Sequence, residues 1–291
     1  MLAQFLQFAM SGLTVGAVYG IVALGFTLIY NASGVMNFAQ GEFVMIGGMV
    51  TVSAVGAGVP LPLAALIAVI VAASVGVLLQ RLAIEPVRDA PPVVLIIITV
   101  GAALVIRGVA QIVFGKQLHK LSDFSGDTPL AFLGASILPQ ALWVLAGTVL
   151  IVALVWLFLN LTMLGKALIA TSANRLAAKL VGINISFILA LAFALSAVIG
   201  SAAGILVTPI TFTYAEVGTL LALKGFAALV LGGLGSPLGA VIGGLLLGLS
   251  EAFAAGYLSS TYKDAVALLL MIAVLLLRPG GILGHAGAER V

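Results

Sequence analysis

"MLAQFLQFAMSGLTVGAVYGIVALGFTLIY", residues 1–30, carries no Lys or Arg. Its apolar run goes on for about 25 residues. At 1.5 Å per residue that is enough to cross a hydrocarbon core of about 30 Å. A secretory signal peptide has a basic n-region and a short apolar core. This segment has neither, so it reads as a retained first transmembrane helix.

The rest of the chain agrees. Of 291 residues, 63% are hydrophobic and 7% charged, with a mean hydropathy of +1.33. A soluble domain carries about 25% charged residues, so this composition excludes one. Thirty-five glycines fit closely packed membrane helices. The net charge of +3 and pI near 9.3 are ordinary for loops obeying the positive-inside rule and call for no nucleic acid. The absence of cysteine excludes disulfides and thiolate metal sites.

These features predict an all-α polytopic membrane protein forming a single transmembrane domain over 1–291. Apolar segments at 5–30, 37–56, 61–80, 92–113, 140–160, 186–206, 218–233, 238–256 and 263–278 give nine spans. The count falls to eight if the stretch interrupted by "LGGLGSPLGA" (231–240) is re-entrant. With nine spans the N-terminus lies outside and the C-terminus in the cytoplasm. Seven of the twelve Lys and Arg residues then face inward, five of them arginines. The two longest connections are 114–139, an external loop, and 161–185. "GFTLIYNASGVMNFAQGEFVMIGGMV" from Gly25 and "GFAALVLGGLGSPLGAVIGGLLLGL" from Gly225 resemble one another. Such an internal repeat suits a transporter.

No phosphate-binding loop of the form GxxxxGK[ST] occurs, and no His/Asp/Glu cluster has metal-ligand spacing. His119 and His285 stand alone in polar segments. The chain therefore reads as lacking catalytic residues. Polar groups concentrate instead at "NFAQGEFVMIGG", 37–48. Asn37 is placed to cap the second helix, and Glu42 in the first turn complements its dipole. Alternatively Asn37, Gln40 and Glu42 line a substrate path. There Glu42 would attract the ammonium of an amino acid, and helix N-terminal amides would hold its carboxylate. Arg107 is the one cation well inside an apolar run; snorkelling and a pathway or inter-subunit role both fit it. The break at Gly235 and Ser236 marks a pathway or a packing seam, since irregular backbone at membrane depth must be shielded or face water. Glu216, Lys224 and Glu251 read as interfacial anchors. The last span holds only thirteen uncharged residues after Lys263 and Asp264, short of the core thickness.

"TSANRLAAKLVGIN", 171–184, is the polar exception between two spans. The spacing predicts an amphipathic helix over 172–181. Ser172 is its cap and Gly182 its stop. Leu176 and Leu180 form an apolar stripe, and Arg175 and Lys179 a cationic one. It serves as a surface helix on lipid, an inert connector, or a helix that docks into a groove of a cytoplasmic partner.

Four blocks occur in order: "GFTLIYNASGVMNFAQGEFVMIGG", "NRLAAKLVGIN", "LKGFAALVLGGLGSPLGAVIGGLLLGLSEAF" and "YLSSTYKDAVALLLMIAVLLLRPGGILG". Together they resemble the LivH-type permease of branched-chain amino acid ABC importers, over residues 5–284. The resemblance implies a bacterial inner-membrane permease that moves branched-chain or related amino acids by alternating access. Its implied partners are a LivM-type second permease, two cytoplasmic ATPases holding ATP and Mg, and a periplasmic binding protein. It also implies that Asn174, Arg175, Leu176, Lys179, Leu180 and Gly182 contact the ATPases. Two departures stand out: "SANRLAA" lacks the acid that opens the usual coupling motif, and Gln40 occupies a place where His is common. The rival reading is a stand-alone secondary transporter or channel for a small polar solute such as urea or an amide.

Overall fold

The computed structural model describes residues 2–126, 128–132 and 134–284, with the backbone alone at 132. His285 and Arg290 lie outside these residues. An apolar helix forms at each of the nine predicted places: α1 (Leu2–Ser33), α2 (Gln40–Gly56), α3 (Leu61–Leu79), α4 (Pro92–Phe114), α5 (Pro139–Leu161), α8 (Ile185–Thr211), α9 (Val217–Gly232), α10 (Pro237–Tyr257) and α11 (Lys263–Leu277). Two further helices, α6 (Met163–Ala173) and α7 (Arg175–Leu180), fill the connection between α5 and α8. Among the described residues seven helices are long and apolar enough to cross a membrane. The two that fall short, α2 and α9, have 17 and 16 residues and are largely buried. The last span gains length from a 3-10 turn at Ser260–Tyr262, which extends the apolar segment to 18 residues.

Helix α1 runs through the middle of the bundle, and its buried stretch from Gly12 to Ala32 forms the core with α8, α9 and α10. It packs antiparallel to α10 at backbone distance. A Cβ on Gly244 would overlap the backbone of Gly20, so only glycine lets these helices meet. The peripheral helices α3, α4, α5 and α11 turn apolar side chains outward, among them Ile70, Val105, Leu154 and Leu269. That surface suits lipid, not water. Several hydroxyls inside the bundle bond back to their own helix, as Thr27 does to the Ala23 carbonyl and Thr208 to that of Gly204. This gives a hydroxyl in an apolar surrounding a partner without drawing on another helix.

The two segments that resemble each other pack differently. α9 and α10 form a tight hairpin, whereas the chain leaves α1 at Ser33, and α2 then rests mainly on α8 and α3. The 114–139 connection contains a small antiparallel hairpin, Leu130–Phe132 with Ala135–Ile137. His119 joins it to the end of α8 through paired backbone bonds with Thr213, both 2.8 Å. The described residues of 115–138 therefore lie at one end of the bundle, opposite the end that carries α6 and α7.

Candidate functional site

Helix α2 begins beside the middles of two long helices. At its first residue Gln40 donates to the Ser196 carbonyl of α8 at 3.2 Å. The Ser196 hydroxyl contacts both the Gly25 carbonyl of α1 and Gln40 Oε1. Asn37 is buried, but its Oδ1 accepts from Ala39 N at 3.1 Å, within the turn before α2. The expected side-chain cap on α2 is absent. Glu42 does lie in the first turn, and its Oε1 accepts from Arg107 Nη2 at 2.8 Å. Snorkelling therefore does not describe Arg107. Its guanidinium turns into the bundle, because a carboxylate there lowers the cost of a charge in an apolar run far more than a long reach to water would. The same side of α4 supplies Thr99 Oγ1, which accepts from Phe38 N, and Gln111, which donates to Glu216. Of these four the structure joins Glu42 and Arg107 directly, while Gln40 turns to α1 and α8 and Asn37 bonds within its own turn.

Gly235 and Ser236 lie elsewhere, in the turn between α9 and α10. Ser236 caps α10 by accepting from Gly239 N, and the Gly235 carbonyl accepts from Asn31 Nδ2 near the end of α1. Gly235 instead lines a cavity with residues 171–176. This cavity, of about 1040 Å³, opens between the end of α1, the start of α4, residues 171–176 and Gly235, with Arg88 and Arg175 on its wall.

The single helix expected over 172–181 is two helices. Asn174 is extended and ends α6; its side chain then accepts from Ala177 N at 3.0 Å and caps α7. Asn caps because a short side-chain acceptor satisfies a free first-turn amide. Ser172 is not that cap: its hydroxyl bonds back to the Ile169 carbonyl. Gly182 stops α7 as expected. Its φ is +89°, and Ile183 N returns to the Ala178 carbonyl. Ala178 is the buried residue of α7, while Leu176 and Leu180 are 69% and 80% exposed, with Lys179 beside them. Arg175 Nη2 donates to the Ala32 carbonyl in the last turn of α1 at 2.9 Å.

A second polar constellation was not expected. Lys224 of α9 bonds Glu251 of α10 and, at 2.6 Å, Asp264 of α11, and the Tyr19 hydroxyl of α1 donates to Glu251 at 2.9 Å. Lys224 and Glu251, read separately as anchors, are thus partners in one network. Four helices meet at this network. The only signal for it in the sequence was the general one, that an ionisable residue inside an apolar segment needs a partner.

Residues 8–275 match the family of the branched-chain amino acid transport system permease component. The chain is 33% identical over 303 residues to the high-affinity branched-chain amino acid transport system permease protein LivH of Escherichia coli K12, covering 99% of this chain and 98% of that one. It is 34% identical to permease protein BraD of Pseudomonas aeruginosa over 305 residues, with the same shares covered. More distantly, it is 28% identical to the ribose import permease protein RbsC of Escherichia coli K12, covering 89% of this chain and 82% of that one. Among solved structures, PsaBC from Streptococcus pneumoniae in complex with Fab superposes with a TM-score of 0.52 at 16% identity. The match covers 96% of this chain and 97% of that one, and it supports the fold alone.

Proposed function

Since the chain belongs to the family of branched-chain amino acid transport permease components, we propose that it is the membrane-spanning half of an ATP-driven importer. It moves branched-chain amino acids by alternating access and performs no covalent chemistry. ATP and Mg sit on two ATPase subunits, a LivM-type permease completes the membrane pair, and a periplasmic binding protein delivers the substrate. The end that carries α6 and α7 faces the cytoplasm. Asn37, Gln40, Glu42 and Arg107 line the path, and the cavity bordered by Gly235 is its inner vestibule.

The observation that carries the coupling role is α7 itself. Leu176 and Leu180 stand exposed on a capped, terminated helix with Arg175 and Lys179 beside them, the pattern of a helix that docks into a groove. Arg175 ties that helix to the last turn of α1, and Asn31 in the same turn holds the Gly235 loop. Contact with the ATPases thus has a short path to the vestibule. It biases the spans only if it differs between the open and closed motor states.

The test is substrate-stimulated ATP hydrolysis by the reconstituted complex. Because Arg175 also has a bond within the fold, Leu176→Asp with Leu180→Asp is the cleaner variant. We expect stimulated hydrolysis and uptake to be lost while the permease still inserts. Unchanged stimulation overturns the docking role. Uptake by this chain alone, driven by an ion gradient, overturns the importer.

A further inference from the structure

Four buried polar atoms on segments that pack against one another around α2 have no hydrogen-bond partner: Asn37 Nδ2, Glu42 Oε2, Arg107 Nε and Thr219 Oγ1. They are four of the seven such atoms among the described residues; Glu42 and Arg107 share an ion pair, and Gly218, next to Thr219, packs on Gly41, next to Glu42. Buried polar groups are normally satisfied, and a cluster that is not needs water or a ligand. The set carries both signs. Glu42 Oε2 is an acceptor with formal negative charge. Arg107 Nε–H and the Asn37 amide are donors suited to an anion. Thr219 serves as either.

An aromatic cluster shares this stretch of chain. Phe38, next to Asn37, packs its ring 6.3 Å from that of Phe26 and 5.5 Å from that of Phe226. Phe26 is fully buried, while Phe38 and Phe226 are half-buried and keep ring surface to offer. Polar atoms of opposite sign and apolar rings carried on the same entry segment of α2 suit a small zwitterion with an apolar side chain. The site is shut in this conformation. A Cβ on Gly41 would overlap the Gly218 carbonyl, and one on Gly218 would lie 3.0 Å from Glu42 Oε2. The backbones of α2 and α9 therefore meet directly over the carboxylate.

We propose that this is the amino acid recognition site of the path, opened when α2 and α9 part at the Gly41–Gly218 seam. It rests on the importer reading. Glu42 Oε2 accepts from the substrate ammonium. Arg107 Nε–H and Asn37 Nδ2–H donate to its carboxylate, and the face of Phe38 and Phe226 takes the aliphatic side chain. The Glu42–Arg107 pair remains in place as the frame holding the two charges at fixed spacing.

The experiment is a charge exchange, Glu42→Arg with Arg107→Glu, in the complete complex in proteoliposomes. An ion pair that only holds helices together survives reversal, whereas a site that reads charge does not. We expect assembly and thermal stability close to the parent and leucine uptake lower by roughly tenfold to hundredfold, the loss of one or two charge-assisted hydrogen bonds. If the exchange does not assemble, Arg107→Lys decides. It keeps the cation beside Glu42 but removes Nε–H, and the same loss of uptake with retained stability is expected. Parental uptake in the assembled exchange, or in Arg107→Lys, overturns the site while leaving the importer standing. If the parent complex takes up no amino acid with ATP, the importer fails and the site falls with it.

Discussion

The start of α2 and the short helix α7 treat their charged and apolar groups in opposite ways. At α2 the charges are held in: Glu42 is buried, and Arg107 reaches it from a neighbouring helix at 2.8 Å. At α7 the apolar groups are held out: Leu176 and Leu180 are exposed while the arginine beside them bonds to a carbonyl of α1. A charge inside the bundle must be matched on the spot, because hydrocarbon offers no other partner. A leucine at the polar end faces no such demand, and its exposure suits the surface of an interface. The difference separates a region whose charges are matched inside the fold from one whose apolar groups are left uncovered.

The strongest way to break that comparison is Arg107→Leu. It leaves Glu42 buried and unpaired, so a stability loss of about 3–5 kcal/mol is expected, read as a fall in melting temperature in detergent. A loss below about 1 kcal/mol would mean that the pair behaves as a solvated surface bridge. Next is Gly41→Val, which forces side-chain atoms into the Gly218 backbone; overpacking of about 1–3 kcal/mol or more is expected in the same assay. At the other region Asn174→Ala removes the α7 cap and should cost about 1 kcal/mol, with a matching rise in hydrogen exchange confined to residues 175–178. The smallest effect is Leu180→Ser. Its stability change should stay within about 0.5 kcal/mol, since the side chain is 80% exposed, while stimulated ATP hydrolysis falls. A large loss of stability there would show that α7 is held by its own leucines.

Much of the fold was legible because apolar periodicity and length are local properties. All nine helices stand where composition alone put them. The division at Asn174 was not legible: "TSANRLAAKL" reads equally well as one helix, and the break appears only when Asn174 turns extended and caps α7. For the site, the sequence marked Gln40, Glu42 and Arg107 as unusual without saying that Glu42 and Arg107 pair. It placed Gly235 and Ser236 with them, although these belong to the turn between α9 and α10, next to the end of α1. Lys224 and Glu251 looked like separate anchors, since nothing local records that they meet Asp264 and Tyr19 where four helices converge.

The sequence by itself therefore determined that the chain lives in a membrane, where its helices run, and which connection carries a polar helix at one end. Hydrophobicity acts residue by residue, so a single chain read in order is enough. Only the tertiary structure decided which charges pair, which glycines let backbones touch, and which leucines remain uncovered. Each of those is a relation between helices far apart in sequence, fixed by how the bundle closes and by the cost of leaving any buried charge alone.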